Sequence, residues 1–295
     1  MLLLLALLSL GASPPAVTDS ARSYRAEIEK WRANRIRRLT SNDGWLSVVG
    51  LSWLEEGENP VGSDPTNRVS LPAGRAPARL GAIRLSQGKA QFTVAPGVRV
   101  SHDGKPVTTI GLAPDADGEP TVLEHGTLSF YLIRRGERLG VRVKDSAAQA
   151  RKAFHGIDSY AVDPRWRLPA RFVPYQPKKT IPIPNVLGAV TQEPSPGAVA
   201  FTIGGKEYRI DAVDEEGEED LFLIFGDRTN GTETYGAGRF LYAPRPGPDG
   251  KTVVDFNKAY NPPCAFTAYA TCPLPPPQNR LPIAIEAGEK RYGEH

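Results

Sequence analysis

The chain has 295 residues, of which 40% are hydrophobic and 23% are charged, a composition typical of a globular protein with one large or two ordinary domains. Its 36 basic and 33 acidic residues leave a net charge of +3, which argues against a strong electrostatic field for nucleic-acid binding. The 29 glycines and 28 prolines punctuate short apolar runs of period two, a pattern that predicts a mainly β protein.

The first 13 residues form a leucine-rich apolar run that ends in small residues. This run is far shorter than the ~20 residues that a membrane-spanning helix needs, but it resembles the apolar core of a secretory signal peptide. We therefore predict a signal peptide over residues 1–16, export to the periplasm or the exterior, and no transmembrane span. A lipoprotein anchor is not expected, because no cysteine follows the run. The basic residue that usually begins a signal peptide is missing, so the position of the natural start stays open.

Residues 20–40 carry the clearest helical pattern. Spacings of four, three, four and four residues place one helical stripe on Tyr24, Ile28, Trp31, Arg35 and Leu39. Charged residues fill the other faces of this segment. We predict an amphipathic N-terminal helix that docks through its stripe on the β structure that follows.

From residue 44 to residue 160 the pattern changes to strands of four to six residues, separated by glycine, proline and aspartate. Short strands at this spacing predict a β-sandwich. Four stretches of this region resemble the forkhead-associated domain, namely residues 56–64, 67–71, 102–107 and 123–128.

The resemblance to the forkhead-associated family implies its fold but not its binding of phosphothreonine. The family usually has arginine after the glycine of its first motif, where this chain has Ser63. Its histidine motif should fall near residues 76–82, and this chain has no histidine there. Because phosphate recognition needs such cationic and hydroxyl donors, we predict a degenerate domain of this type that does not bind phosphothreonine.

A second antiparallel β domain is predicted over residues 161–295. Four prolines between residues 164 and 177 are expected to break regular structure after a boundary near residues 157–163. Five strands follow, and the Gly204-Gly205 step between two of them is a two-residue hairpin signal. Successive hairpins predict a meander or a barrel-like sheet. Beyond Asn261 the prolines exclude an interior strand, so this end is predicted to wrap the sheet as ordered loop.

Three runs in the last third, residues 225–241, 255–264 and 269–282, resemble the bacterial family called domain of unknown function 1684. The resemblance extends roughly from Tyr24 to the C-terminus. The family has no activity that could be transferred, so the resemblance implies an architecture and leaves the function open.

The two cysteines, Cys264 and Cys272, are separated by seven residues. Export to an oxidising compartment would permit a disulfide between them, which we predict. Two buried free thiols and a metal site are the alternatives. The metal site has the least support, because two thiolates need further ligands and no histidine lies nearby in sequence.

Polar residues of several chemistries are concentrated in the last third. Arg239 and Asp255 are predicted to face each other across a hairpin whose loop spans residues 244–250, which would make them cross-strand neighbours. An ion pair between them would fix the turns of this region, since buried charges must be paired.

A ligand site is the second interpretation of this region, and it gives the leading function. Binding of a small polar or anionic ligand, or of an envelope partner, is predicted through Tyr235, Arg239, Asn257 and Lys258. A guanidinium, an amide and an ammonium group could hold a carboxylate, a phosphate or a sugar.

Catalysis is the third interpretation. The carboxylates Asp227, Glu233 and Asp255 could supply the acid and the base of a hydrolase, as in glycoside hydrolysis. A purely structural module is a further alternative. We predict no cofactor and no metal, because the chain has neither a glycine-rich loop before a helix nor histidines at metal-ligand spacing.

Overall fold

A computed structural model describes residues 19–215 and 217–293 of this chain. The predicted signal peptide lies outside the described residues. Within them the chain is mainly β, as predicted. The helices are α1 (Asp19–Thr40) and α2 (Gln149–Lys152). The strands of the first half are β1 (Val48–Trp53), β2 (Gly57–Gly62), β3 (Val69–Ser70), β4 (Gly81–Ser86), β5 (Lys89–Val94), β6 (Val100–His102), β7 (Lys105–Val107), β8 (Thr109–Leu112), β9 (Leu123–His125), β10 (Leu128–Arg135) and β11 (Arg138–Asp145). Those of the second half are β12 (Arg167–Pro184), β13 (Val190–Ile203), β14 (Lys206–Asp211), β15 (Leu221–Phe225), β16 (Arg239–Ala243) and β17 (Lys251–Asp255).

The first half forms the predicted β-sandwich. One sheet has the strand order β1-β11-β10-β9-β6-β7 and the other has the order β3-β2-β4-β5-β8. Alternate side chains of each strand point between the sheets, which buries residues such as Ile83 and Val141 completely. The rings of Phe92 and Phe130 meet edge to face at 5.6 Å and join the two inner faces.

The second half is the predicted second antiparallel β unit. Its main sheet has the order β14-β13-β12-β17, and β15 pairs with β16 as a separate two-stranded sheet. Phe256 lies at the centre of the core, where its ring contacts those of Phe201 and Phe225 at 5.4 Å each. Every residue of β15 is buried, so this strand is covered on both faces.

The hairpin between β13 and β14 confirms the two-residue turn expected at Gly204-Gly205. Ile203 pairs with Lys206, and both glycines have positive φ, 57° and 78°. Two successive residues in this region of φ space define the hairpin turn that matches strand twist.

The prolines after residue 163 do not break regular structure, and the prediction that they would was wrong. Pro164 precedes β12. Pro169 pairs with β17 but precedes the part of β12 that pairs with β13, and Pro174 and Pro177 lie beyond Arg171, where β12 no longer pairs with β17. The pairing of β12 with β13 also shifts register between Pro174 and Lys179. A proline costs no ladder hydrogen bond at a free edge or a bulge, so the strand continues.

The predicted hairpin between β16 and β17 was also wrong. Strand β16 pairs with β15, whereas β17 crosses to the edge of β12. The free edge of β16 is instead taken by the C-terminal segment, because Phe240 and Tyr260 exchange two backbone hydrogen bonds of 2.9 Å. Arg239 and Asp255 are therefore not cross-strand neighbours.

The C-terminal segment after β17 is an ordered wrap that has no strand among its described residues. Its backbone bonds to the β structure, as where the amide of Leu281 donates to the carbonyl of Gly226 at 2.7 Å. The buried side chain of Asn279 donates to the carbonyls of Asp211 and Ile224 and accepts from the amide of Asp211.

Helix α1 docks through its predicted stripe, mainly on the second half of the chain. Ile28 and Leu39 are buried. Arg35 donates to Glu289 at 3.1 Å and to the carbonyl of Asn261 at 2.8 Å. In the described part of the chain, no helix combines the length and the apolar character that crossing a membrane requires.

Candidate functional site

A cleft of about 270 Å³ lies where α1 meets the second β unit. Its wall combines three aromatic rings with two carboxylates and two cations. These side chains are Trp31, Tyr242, Tyr260, Asp220, Asp255, Arg167 and Lys258.

The aromatic wall is a stack with fixed geometry. The rings of Tyr242 and Tyr260 are nearly parallel, at 13°, with centroids 6.4 Å apart. Trp31 of α1 approaches Tyr260 at 6.3 Å. Behind the wall, Phe222 stacks on Tyr242 at 5.1 Å, and the guanidinium of Arg35 lies 4.6 Å from the ring centre of Tyr260. Rings held on both sides in this way are rigid.

The phenol groups of the wall keep their protons. Burial raises the pKa of Tyr242 and of Tyr260 above the usual range. The hydroxyl of Tyr242 donates to Oε2 of Glu215 at 2.7 Å. Burial also raises the pKa of Glu215, and its hydrogen bond from Tyr242 opposes that rise.

Asp255 is the most unusual group in the cleft. It ends β17, and its Oδ1 accepts from the hydroxyl of Tyr24 at 2.8 Å and from the amide of Asn257 at 3.1 Å. Its Oδ2 has no hydrogen-bond partner among the residues that the structure describes, although Asp255 is only 7% exposed. A buried carboxylate oxygen without a donor is unfavourable. Asp255 thus lines the cleft and carries one carboxylate oxygen that is buried and has no donor among the described residues.

Asn257, a predicted ligand contact, holds Asp255 in place from behind. Its amide nitrogen donates to the hydroxyl of Tyr24 and to the carbonyl of Asp163, both at 2.9 Å. Its Oδ1 accepts from the amide of Asp163 at 3.0 Å. Burial, followed by the hydrogen bond to Asp255, raises the pKa of Tyr24 above its usual range. Tyr24 is therefore a permanent donor to Asp255.

The two cations of the cleft share one partner, Glu27 of α1. Nζ of Lys258 lies 2.7 Å from one carboxylate oxygen of Glu27, and Arg167 lies 3.8 Å from the other. The hydrogen bond from Lys258 is the main reason that the pKa of Glu27 is lowered. Much of the positive charge at the rim is thus neutralised locally.

The other predicted ligand residue with a formal charge, Arg239, lies in the core. It forms an ion pair of 2.7 Å with Asp227, and both side chains are 0% exposed. The same guanidinium donates to the carbonyls of Ile285 and Ala287. Asp227 in turn accepts from Thr229 and from the amide of Ile285. This network fixes the turn after β15 and corrects the predicted pairing of Arg239 with Asp255.

The predicted catalytic carboxylates lie in different surroundings. Asp227 is buried and already paired with Arg239. Asp255, in contrast, lines the cleft. Glu233 accepts from the hydroxyl of Tyr160 at 2.9 Å. Glu233 and Asp227 do not line the cleft, so the structure does not bring this predicted set together.

Tyr235 and the cysteines form another cluster, away from the lining of the cleft. The hydroxyl of Tyr235 donates to the carbonyl of Cys264 at 3.1 Å. Cys264 and Cys272 are free thiols, so the predicted disulfide is absent. The backbone amide of Cys264 donates to Sγ of Cys272 at 3.1 Å, which holds that sulfur beside the main chain rather than in a bond to its partner.

The sequence interpretation missed five of the seven side chains that form the wall of the cleft. Trp31 belongs to the helical stripe, which predicts docking but not a cleft. Tyr242 lies in β16 and Asp220 directly precedes β15. Only the long-range pairing of Phe240 with Tyr260 brings this hairpin to the cleft. Among the predicted residues, Lys258 and Asp255 do line the cleft.

The loops of the first half offer little free hydrogen-bonding capacity at the positions compared with forkhead-associated domains. Ser63 donates its hydroxyl to the carbonyl of Ala76 at 2.8 Å, and Asn67 donates to the carbonyl of Ala78 at 2.7 Å. Both groups stabilise their own loops. For residues 19–215 and 217–293, no cluster of three or more His, Cys, Asp or Glu side chains is placed to hold a metal ion.

Residues 152–290 match the model of a family described as a protein of unknown function, DUF1684. No curated protein matches the chain. Among solved structures, the chain is similar to an uncharacterised protein of Haloarcula marismortui determined by NMR, at 27% identity and a TM-score of 0.40, over 49% of this chain and 81% of that one.

Two forkhead-associated domain structures are also similar. One comes from an analysis of phosphothreonine-dependent interactions, and the other is the FhaA domain complexed with the intracellular domain of a second protein. Each is 19% identical with a TM-score of 0.22, over 32% of this chain and 92% or 97% of its own. The chain therefore resembles DUF1684 over residues 152–290.

Proposed function

We propose that this protein binds a small polar ligand in the cleft between α1 and the second β unit. The free Oδ2 of Asp255 is the observation that carries this proposal. Its neighbour Oδ1 is held by Tyr24 and Asn257, so the carboxylate is fixed with one acceptor left over. A ligand that donates a hydrogen bond to that oxygen would remove the cost of its burial.

The charges of the cleft favour a neutral or cationic ligand over an anionic one. Two carboxylates, Asp220 and Asp255, line the cleft and would repel an anion. The two cations, Arg167 and Lys258, are already engaged by Glu27. Of the small polar or anionic ligands predicted from the sequence, we therefore propose a polar one that carries hydroxyl or amino donors.

The shape of the cleft favours a single ring. Its volume of about 270 Å³ lies just below the range typical of sites for drug-sized ligands. The rings of Tyr242 and Tyr260 line the cleft beside the carboxylates. A sugar ring, with an apolar face and several hydroxyl donors, matches both features, and so does an amino sugar.

Ligand-observed saturation-transfer NMR on the purified protein tests this proposal. The panel contains neutral monosaccharides, amino sugars, sugar acids and inorganic phosphate. We expect transfer to neutral or amino sugars and none to the anions. A bound ligand at ten times its Kd stabilises the fold by about 1.4 kcal/mol, which corresponds to a rise in Tm of roughly 2–5 °C for a chain of this size.

Three variants assign any binding to the cleft. Asp255→Asn keeps the shape but replaces the free acceptor with a donor, and Trp31→Ala removes one aromatic wall. Both should reduce the transfer. Glu233→Gln makes the same chemical change outside the cleft and serves as the matched control. Absence of transfer across the panel, or equal transfer with Asp255→Asn, would contradict the proposal.

Hydrolysis is a second candidate, because two carboxylates, Asp220 and Asp255, share one cleft. The pair differs from the set predicted from sequence. Release of nitrophenol from nitrophenyl glycosides of the binding sugars would support hydrolysis, provided that Asp220→Asn and Asp255→Asn each remove it. Binding without release leaves the protein a ligand-binding module.

We also propose that the protein works in the periplasm or outside the cell. The leucine-rich run at residues 1–13 supports export. Fractionation of cells that express the full chain, together with the mass of the mature N-terminus, tests it. Cleavage near residue 16 is expected, and an intact N-terminus in the cytosol would contradict export.

A further inference from the structure

A groove on the first half of the chain lies apart from the cleft beside α1. Its volume of about 640 Å³ falls within the range typical of binding sites. Its walls come from residues 49–52 of β1, residues 70–73 at the end of β3, and the start of α2. We call it the edge groove, and it shares no lining residue with the cleft.

Two sheet edges of the sandwich meet at the edge groove. Strand β1 is the outermost strand of one sheet, and β3 is the outermost strand of the other. In the described part of the chain, β1 pairs only with β11. Thr267 reaches the start of β1, where its hydroxyl donates to the carbonyl of Val48 at 3.1 Å. The remainder of this edge has no strand beside it.

The register of β1 shows which backbone groups point to the groove side. The amide of Leu54 donates to the carbonyl of Leu139 at 2.9 Å, and Ser52 lies opposite Val141. Hydrogen-bonded and non-hydrogen-bonded pairs alternate along an antiparallel ladder. Ser52 therefore bonds to β11, whereas Leu51 directs its N–H and C=O groups to the unpaired edge.

Strand β1 lacks the usual protection of an exposed sheet edge. Natural edges carry charged residues, prolines, bulges or a covering segment. The six residues of β1 include neither a charged residue nor a proline, and the register shift lies at its start, between Val48 and Gly50. The part of β12 beyond Arg171, by contrast, carries several prolines. The edge from Gly50 to Trp53 is therefore suited to accept a further strand.

Small side chains leave room beside this edge. Gly50 and Ser52 are paired with Val143 and Val141, which are fully buried in the core of the sandwich. Directly paired residues project to the same face of a sheet, so Gly50 and Ser52 also face inward. A hydrogen atom and a hydroxymethyl group at these positions do not fill the mouth of the sandwich.

The edge groove presents a cation at its surface. Nε of Arg75 lies 3.4 Å from Oδ2 of Asp145, and both residues line the groove. The Asp145 side chain is 5% exposed and also accepts from the amide of Ala147, whereas the Arg75 side chain is 41% exposed. A ligand thus meets the guanidinium rather than the carboxylate, which favours an acidic group. Tyr269, a half-exposed residue, adds an aromatic ring to the wall.

We propose that the edge groove binds an extended segment of a partner protein, which adds to β1 as a further strand and places an acidic side chain beside Arg75. In strand addition, backbone hydrogen bonds supply affinity and pockets for alternate side chains supply specificity. The lining residues of β1 rise about 3.4 Å each, so the paired segment is about 13 Å long.

The test uses the full chain to select from a phage-displayed library of random dodecapeptides, and fluorescence anisotropy then measures the affinity of the enriched peptides. We expect enriched peptides to carry an acidic residue. Ser70→Trp fills the groove from an exposed position of β3 and should weaken binding by about tenfold or more. Ser86→Trp makes the same change at an exposed position of β4 outside the groove and should bind as the wild type does.

A second pair of variants tests the acidic side chain. Arg75→Gln should weaken binding by about twofold to fivefold, the effect of one partly exposed ion pair. Arg84→Gln, at an exposed arginine of β4 outside the groove, is the matched control and should change nothing. Thermal melts of all four variants show whether each one folds.

Amide exchange distinguishes strand addition from other modes of binding. In isotope-labelled protein saturated with an enriched peptide, the amide proton of Leu51 should exchange much more slowly than in the free protein, because it gains a backbone acceptor. Failure to enrich any peptide, equal affinity of the wild type and a folded Ser70→Trp variant, or unchanged exchange at Leu51 would overturn the proposal.

Discussion

The hydroxyl of Tyr24 on α1 donates a hydrogen bond of 2.8 Å to Oδ1 of Asp255 at the end of β17. The two residues are 231 positions apart in the chain. This bond fixes one oxygen of Asp255 and therefore also the position of the other, which is buried and has no donor among the described residues. The N-terminal helix is thereby part of the candidate site as well as a docking element.

Tyr24→Phe removes this bond and keeps the ring. The buried Asp255 then loses a donor, and we expect a loss of about 1–3 kcal/mol in the free energy of unfolding. Urea denaturation measures it. Tyr269→Phe, at a tyrosine that is 40% exposed, is the matched control and should change stability by less than about 0.5 kcal/mol. Equal stability of the two variants would refute a structural role for the Tyr24 hydroxyl.

Arg239→Met breaks the fully buried ion pair with Asp227. Removing one partner strands a buried charge, so we expect a loss of about 3–5 kcal/mol by denaturant unfolding. Arg79→Met breaks an exposed pair with Glu58 and should cost about 1 kcal/mol or less. The double variant Arg239→Met with Asp227→Asn should lose less than the single variant, because no charge remains unpaired and the side chain can still accept from Thr229 and Ile285. Additive losses would contradict this interpretation.

Because of Glu215, the free energy of unfolding should decrease as the pH rises above about 4.3, the ordinary pKa of glutamate. Burial raises the pKa of Glu215 in the folded state, so between the two values the folded chain binds more protons than the unfolded chain. Stability then decreases with pH until the folded group has ionised. Glu215→Gln removes this titration and can still accept from Tyr242. Urea melts from pH 4 to pH 7.5 should show a flatter profile for the variant, and parallel profiles would exclude the effect.

Local patterns predicted the elements that depend only on neighbouring residues. The stripe of Ile28 and Leu39 located α1, and Gly204-Gly205 located a hairpin, because helical periodicity and positive φ are properties of a few adjacent residues. The alternation of apolar residues likewise predicted the sandwich of the first half.

Long-range pairing was the part that the sequence did not determine. The assumption that neighbouring strands pair joined β16 to β17 and so placed Arg239 against Asp255. Pairing β15 with β16 instead would have predicted Asp227 as the partner of Arg239. In that hairpin Phe225 pairs with Arg239, and Asp227 lies two residues after Phe225. Proline in β12 was misjudged for the same reason, since its tolerance depends on a free edge that only the tertiary structure defines.

In the proposed site, the unpaired oxygen of Asp255 receives a hydrogen bond from a small ligand. Isothermal titration of the sugar that gives the strongest saturation transfer, against the wild type and Asp255→Asn, measures it most directly. Loss of this acceptor should weaken binding by about 10-fold to 100-fold, the equivalent of about 1–3 kcal/mol for one buried hydrogen-bonding group left unpaired. Glu233→Gln should bind as the wild type does. Equal affinity of the wild type and Asp255→Asn would contradict the claim.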